Sequence, residues 1–287
     1  MPQIARVIPN QRLDDVVAIL DTGLTATSIA SPIASSAPQS DRKTREVRNY
    51  MKKNSFDRAA IAQSSSIVGY VNVNELDVFP GDDPIGLHSR PFEPDLLVSD
   101  GTPLPIVLQR MQNQTAIFVV GSNGINGIIT PADLEKQCMR VYLFGLVSLF
   151  EQKLCRAMEE LSVETVRSAI PDGSARERFD LDFRQKRTAG EELTPIYYTT
   201  LGTKIHLALS TEKYWKPLGS TKEEARQKLS SVRDLRNALD HVNLLSGSIA
   251  SWSSLFEAVQ NVTGVIKNLE IAATQGKATS DASIGGR

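Results

Sequence analysis

Arg236, Asn237 and His241 stand within one short run, Arg236-Asn237-Ala238-Leu239-Asp240-His241, and between them hold the parts of a proton-transfer and phosphate site. A histidine titrates near neutrality, so His241 can take a proton from a hydroxyl or return one to a leaving oxygen. Arg236 keeps its proton and can grip a phosphate with two parallel donors, neutralising charge that builds up in a transition state. Asn237 lies four residues before His241 and shares a helical face with it, where its amide can orient the imidazole. Arg236 and His241 fall about 140° apart around a helix axis. One isolated helix therefore does not aim both at one phosphate, whereas two copies of the run facing each other across a two-fold axis would. The same residues also read as an ordinary surface helix with an Arg236–Asp240 ion pair, worth about 0.3–0.5 kcal/mol.

A second constellation is Gly127-Ile128-Ile129-Thr130-Pro131-Ala132-Asp133. Thr130 falls at the start of a helical turn, where free backbone N–H groups attract a phosphate. Asp133, at the third helical position, can accept hydrogen bonds from two vicinal hydroxyls. The plain reading of these residues is an N-cap followed by Pro at the first position and an acid in the first turn. At the same offset upstream, Gly69 precedes Asn72 and Glu75, so a weaker copy of the pattern occurs earlier in the chain.

The elements that must carry these residues differ in kind on the two sides of residue 140. Before it, short Val/Ile-rich runs alternate with Pro, Gly and Ser, as in a mixed α/β region. That part holds an internal repeat, one copy running from Val47 to Leu76 and the other from Val107 to Leu134. In each, a helix ends near a Met (Met51, Met111), and a strand, a glycine, a second strand and a helix start follow. Phe79–Asp95, with four prolines, reads as the linker between the copies. After residue 140 amphipathic stretches dominate. Leu143, Leu146, Val147, Phe150 and Leu154 recur at helical spacing. Ser220-Thr221-Lys222-Glu223-Glu224 reads as a capping box that opens a helix with the stripe Leu229, Val232, Leu235, Leu239 and Val242. A final helix is expected over 253–273, then a small polar tail at 274–287 without fixed structure.

The Gly127–Asp133 pattern, with Val98-Ser99-Asp100-Gly101-Thr102-Pro103-Leu104 as its strand-to-helix entry, resembles a CBS domain. The repeated unit over about 10–137 resembles the tandem CBS (Bateman) module. This resemblance implies an adenine nucleotide as regulatory ligand in the cleft between repeats, with Thr130 on a phosphate and Asp133 on the ribose. It extends more weakly to Asn72 and Glu75. Residues 141–272, with Phe144-Gly145-Leu146-Val147-Ser148-Leu149-Phe150-Glu151 leading and the Arg236–His241 run on an amphipathic helix, resemble a HEPN domain. That resemblance implies a metal-independent endoribonuclease that cuts RNA as a homodimer or higher homo-oligomer, leaving a 2′,3′-cyclic phosphate. HEPN domains that only bind or dimerise also exist, so a non-catalytic nucleotide-sensing dimerisation scaffold is the alternative. The architecture suggests a role in stress or phage defence. The expected class is α+β and multidomain, an N-terminal α/β module followed by an all-α helical bundle.

Composition bounds these readings. The chain has 287 residues, enough for two ordinary domains, and 32 Lys and Arg against 33 Asp and Glu. That balance argues against binding nucleic acid by bulk positive charge and leaves room only for a local basic groove. Two cysteines, Cys138 and Cys155, make a poor secreted framework and fit reduced cytoplasmic thiols. No signal-peptide core and no membrane-spanning stretch is expected. Three histidines and two cysteines far apart give no metal-ligand spacing, so no catalytic metal or cofactor is expected, and there is no P-loop, nucleophile elbow or dinucleotide fingerprint. His206, in an apolar run, is expected to be packed. Arg176, Arg178, Arg184, Lys186 and Arg187 are expected in a solvated, locally positive loop, with RNA-backbone contact as the functional alternative.

Overall fold

The computed structural model describes residues 18–284 apart from 21, 34, 35, 189–193, 241–244 and 246–250, and no side chain at 186 or over 273–284. It divides into two units, Met1–Tyr142 and Leu143–Arg287.

In the first unit a short helix, α1 (Ala26–Ile29), leads into β1 (Ser31–Pro32). Helix α2 (Thr44–Lys53) buries Thr44, Val47 and Met51, three positions on one side, and leaves Arg45, Lys52 and Lys53 at the surface. Strands β2 (Arg58–Gln63) and β3 (Ser66–Asn72) form an antiparallel hairpin, followed by a 3₁₀ turn, Val73–Val78. The second copy repeats this order: β4 (Leu97–Ser99), α3 (Leu104–Met111), β5 (Ile117–Gly121), β6 (Gly124–Ile129) and a 3₁₀ turn, Pro131–Glu135. Strand β4 runs parallel to β5, with α3 as the crossover that a parallel pair requires. β5 and β6 are antiparallel, and β1 joins the free side of β6, giving the order β1-β6-β5-β4.

The repeat read from the sequence is present in the backbone. Both hairpins shift register, one at Ile61/Ala62 and the other at Val119/Val120, at the same offset that separates Gly69 from Gly127. The first copy keeps only a single parallel bridge, Gln39↔Ala62, where the second has β4 against β5. Alternation along β2 sends Ala59 and Ile61 into a core with Val47, Met51 and Val71, and Ala60 into a core with Tyr70, Leu96 and Phe118. The second core is the seam between the copies, where the rings of Tyr70, Phe92 and Phe118 meet with centroids 4.8–5.8 Å apart.

Phe79–Asp95 is not a free linker. Ile85 is buried in the first core, and Tyr70 and Arg90 exchange two backbone hydrogen bonds, so the segment lies as a strap against β3. Proline stops a continuous ladder but leaves the N–H and C=O of residues between prolines free to pair. Gly69 is what admits the strap: a Cβ there would stand 2.6 Å from the Arg90 carbonyl oxygen. Gly127 has the matching task beside Ala30 and β1.

The described elements of the second unit are helical. Helix α4 (Gln137–Ala157) carries the unit boundary and buries Leu143, Leu146, Val147, Phe150 and Leu154, as their spacing predicts. Lys136, whose backbone is extended, separates the 3₁₀ turn from α4. α5 (Val163–Ser168) and α6 (Ser174–Thr188) follow. The expected basic loop is thus a helix. No Pro or Gly interrupts it, and Phe179 and Phe183, one turn apart, bury themselves while Arg178, Arg184 and Arg187 stay outside. Then come α7 (Leu201–Ser210), α8 (Glu212–Trp215) and α9 (Lys222–Asp240). The capping box at α9 forms with Thr221 accepting from the Glu224 N–H (3.1 Å) and Glu224 accepting from the Ser220 N–H (2.8 Å). Its buried stripe is Ala225, Leu229, Val232, Leu235 and Ala238; Leu239 is only half-buried and Val242 lies outside the described residues. α10 (Trp252–Ile284) packs along α9 and runs past Ala273 through most of the expected tail, because nothing stronger than Gly276 breaks the ladder before Gly285.

Candidate functional site

Thr130 and Asp133 are brought together, and the plain reading of them is realised. One Asp133 oxygen, Oδ2, accepts from the Thr130 N–H (2.7 Å) and from its hydroxyl (2.9 Å). The other, Oδ1, accepts from the Ser31 hydroxyl (2.6 Å) and pairs with the Lys136 ammonium (2.7 Å). The Lys136 ammonium also donates to the Ile29 carbonyl (2.6 Å) and the Ser31 oxygen (2.9 Å). Asp133 is 5% exposed. A carboxylate has about four lone-pair sites, and here four donors take them. Ribose hydroxyls can reach this acid only by displacing Ser31 or Lys136.

Asn72 and Glu75 form the looser counterpart. The Asn72 amide donates to Glu75 Oε1 (3.1 Å), and the Arg90 guanidinium pairs with Oε2 (2.9 Å). The Glu75 side chain is 37% exposed, so its remaining lone pairs are open to solvent and to a ligand. Each repeat therefore holds an acid at the start of a helical turn with a cation beside it.

In the second unit Arg236 and Asn237 are adjacent on the exposed side of α9, and the Arg236 guanidinium pairs with Asp240 one turn on. His241 lies outside the described residues. His206, expected to be packed, is exposed on α7 instead, because the apolar face of that helix is carried by Leu201, Ile205, Leu207 and Ala208. Beneath it Lys204 is buried and paired with Glu151 of α4. Burial pushes the nearby Cys155 thiol up to about 11, which keeps it a neutral core side chain. Among the described residues no group of three or more His, Cys, Asp or Glu is placed to hold a metal ion, and no helix is long and apolar enough to cross a membrane.

No family model matches the chain, and no curated protein does. Solved structures similar to this one are CBS-domain proteins. The CBS domains of a transcriptional regulator from Streptococcus pneumoniae are 21% identical over 39% of this chain and 96% of that one, with a TM-score of 0.35. CbpB in complex with c-di-AMP is 11% identical over 47% and 97%, with a TM-score of 0.39. The CBS domain of a bacterial CNNM/CorC family Mg2+ transporter in complex with ATP is 15% identical over 42% and 91%, with a TM-score of 0.34.

Sequence reasoning missed three residues of the two acid sites, Ser31, Arg90 and Lys136. Ser31 and Arg90 reach their acids through strand pairing, which local spacing does not disclose. Lys136 was legible in principle, since it stands three residues after Asp133, a spacing at which opposite charges meet.

Proposed function

We propose that the N-terminal unit senses an adenine nucleotide and that the helical unit is a metal-independent endoribonuclease under its control. The observation that supports this most is the duplicated acid–cation pair, Glu75 with Arg90 and Asp133 with Lys136. A carboxylate that can accept from vicinal hydroxyls, next to a cation that can meet a phosphate, is the chemistry a nucleotide asks for. The more exposed Glu75–Arg90 site takes the ligand with less rearrangement than the Asp133 site. In the helical unit, His241 removes the proton from a ribose 2′-hydroxyl, and that oxygen attacks the adjacent phosphorus. The bond from phosphorus to the 5′-oxygen breaks, that oxygen takes up a proton, and a 2′,3′-cyclic phosphate remains. Arg236 offsets the charge on the phosphoryl oxygens, and Asn237 orients the imidazole. Two copies of the run, one from each protomer of a homodimer, supply the two proton-transfer groups.

The test is RNA cleavage by the purified protein in EDTA, with and without ATP, ADP, AMP and c-di-AMP, beside His241→Ala. Cleavage in EDTA that is lost in the variant and altered by one nucleotide supports the whole reading. A folded, dimeric protein that melts higher with a nucleotide but cuts no RNA leaves the second reading, a nucleotide-sensing scaffold. The Arg236–Asp240 pair favours that second reading, since it engages the guanidinium within its own helix.

A further inference from the structure

A groove of about 1320 Å³ opens in the helical unit between α6 and the chain entering α7. One wall is a stripe of α6 that includes Arg178, Phe179 and Asp182; the other is built from Tyr197, Thr200 and His206. The spacing of the α6 residues places them on one face; Phe179 is buried at its base, while Arg178 and Asp182 beside it are left accessible among the described residues.

The groups here suit one kind of ligand. The Arg178 side chain is 85% exposed and stands 3.9 Å from Asp182, a slack contact that leaves most of its donors free. His206 is exposed on the opposite wall, which the Thr200 hydroxyl, capping α7 by accepting from the Thr203 N–H, also lines. The Tyr197 hydroxyl is committed to Glu159 at 2.6 Å. Burial and that neighbouring carboxylate push its ionisation above the usual tyrosine range, so the side chain offers a neutral ring. A flat base fits against a ring, and a phosphate fits between a guanidinium and an imidazole. A purely apolar peptide would cover Arg178 and His206 without partners.

We propose that this groove binds a nucleoside phosphate, with Arg178 and His206 on the phosphate and the Tyr197 ring against the base. The ligand is either a free nucleotide or one unit of a single RNA strand. The volume exceeds the roughly 300–1,000 Å³ of ordinary small-molecule pockets, which leaves room for more than one unit. The proposal does not need the ribonuclease reading, and it would give that activity a bed for its substrate strand.

The test is fluorescence anisotropy of the full chain with a fluorescein-labelled 2′-O-methyl hexauridylate at low salt, and competition by UMP. Uridine keeps the adenine-sensing unit out of the measurement, and the methylated strand cannot be cut by its own 2′-oxygen. Arg178→Glu and His206→Ala are each expected to weaken binding about tenfold. Arg226→Glu, an exposed α9 cation outside the groove, is expected to change it less than about twofold. Displacement of the probe by UMP identifies a mononucleotide site, and binding of the hexamer alone identifies a strand site. Equal affinity in Arg178→Glu and wild type, equal loss in Arg226→Glu, or no binding of either probe overturns the proposal. Unlabelled RNA separates the two readings. RNA still cut while the groove variants bind the probe like wild type removes the groove and leaves the ribonuclease; a strand bound through Arg178 but never cut does the reverse.

Discussion

Arg90 holds in the first repeat the place that Ser31 holds in the second. Arg90 lies antiparallel to β3 opposite Tyr70, and Ser31 lies antiparallel to β6 opposite Ile128. From these positions Arg90 donates to Glu75 at 2.9 Å and Ser31 donates to Asp133 at 2.6 Å. The clasp on the acid is thus a property of the repeat, made once with a charge and once with a hydroxyl. The second repeat adds Lys136 and closes over its acid; the first leaves its acid accessible.

The closed clasp should be structural before it is anything else. Asp133→Ala removes a cap, two hydroxyl bonds and a buried ion-pair partner together, and is expected to cost about 2–3 kcal/mol. Glu75→Ala, at a half-exposed pair, is expected to cost less than about 1 kcal/mol. Urea unfolding of the two variants followed by circular dichroism checks the contrast, and equal losses would contradict it.

Lys136 is the cation that would meet a phosphate at the second site, and it also occupies Asp133. If that site takes a ligand, Lys136→Met should weaken binding several-fold, because the phosphate loses its charged partner. Isothermal titration with ATP and c-di-AMP measures this; tighter binding in the variant would mean that Lys136 only competes with the ribose for Asp133.

The Arg236–Asp240 pair makes a related prediction in the helical unit. Asp240→Asn frees the guanidinium, and RNA cleavage in EDTA is expected to rise by a few-fold. A fall would mean that Asp240 positions Arg236 for its task.

Two glycines should respond in opposite directions. At Gly69 an added Cβ meets the Arg90 carbonyl oxygen, whereas at Gly264, exposed on α10, it meets nothing within 4 Å. Gly264→Ala is expected to stabilise by about 0.5–1 kcal/mol, the helix-propensity difference. Gly69→Ala is expected to destabilise by more than that by forcing the strap off β3. Thermal melts of the two variants decide it.

Arg167 grips Asp180 with two donors at 2.9 Å and holds its carboxyl below the ordinary 3.8. A carboxyl lowered by folding contributes stability above its unfolded value and loses it as pH falls through the folded one. Asp180→Asn should therefore lower Tm at pH 7, and the difference should shrink as pH is taken below about 4. A difference that does not shrink as pH falls below about 4 would show that the ion pair is not its cause.

Local pattern disclosed what depends on neighbours in the chain. The repeat was readable from Gly69 and Gly127, the α4 stripe from Leu143 to Leu154, and the α9 start from Thr221 and Glu224, because periodicity and capping act over a few residues. What was missed depends on distant partners. The strap of Phe79–Asp95 is held by Tyr70 and Ile85, neither of which makes a proline-rich run look ordered. His206 was expected to be packed because its neighbours are apolar, yet a helix turns about 100° per residue and carried it to the opposite side. The α6 cations concealed a helix whose buried side is only two phenylalanines deep.

Ser31 and Asp133 are 102 residues apart in the chain. The second repeat is consequently not a contiguous stretch of sequence: its edge strand is made before the first repeat begins. No single cut frees the second repeat whole, and removal of the residues up to 33 would bare the flank of β6 as a template for another chain to pair with. Insertions between the copies are then borne by both, and the first unit should melt in one step, as an interlaced pair and not as two beads on a string.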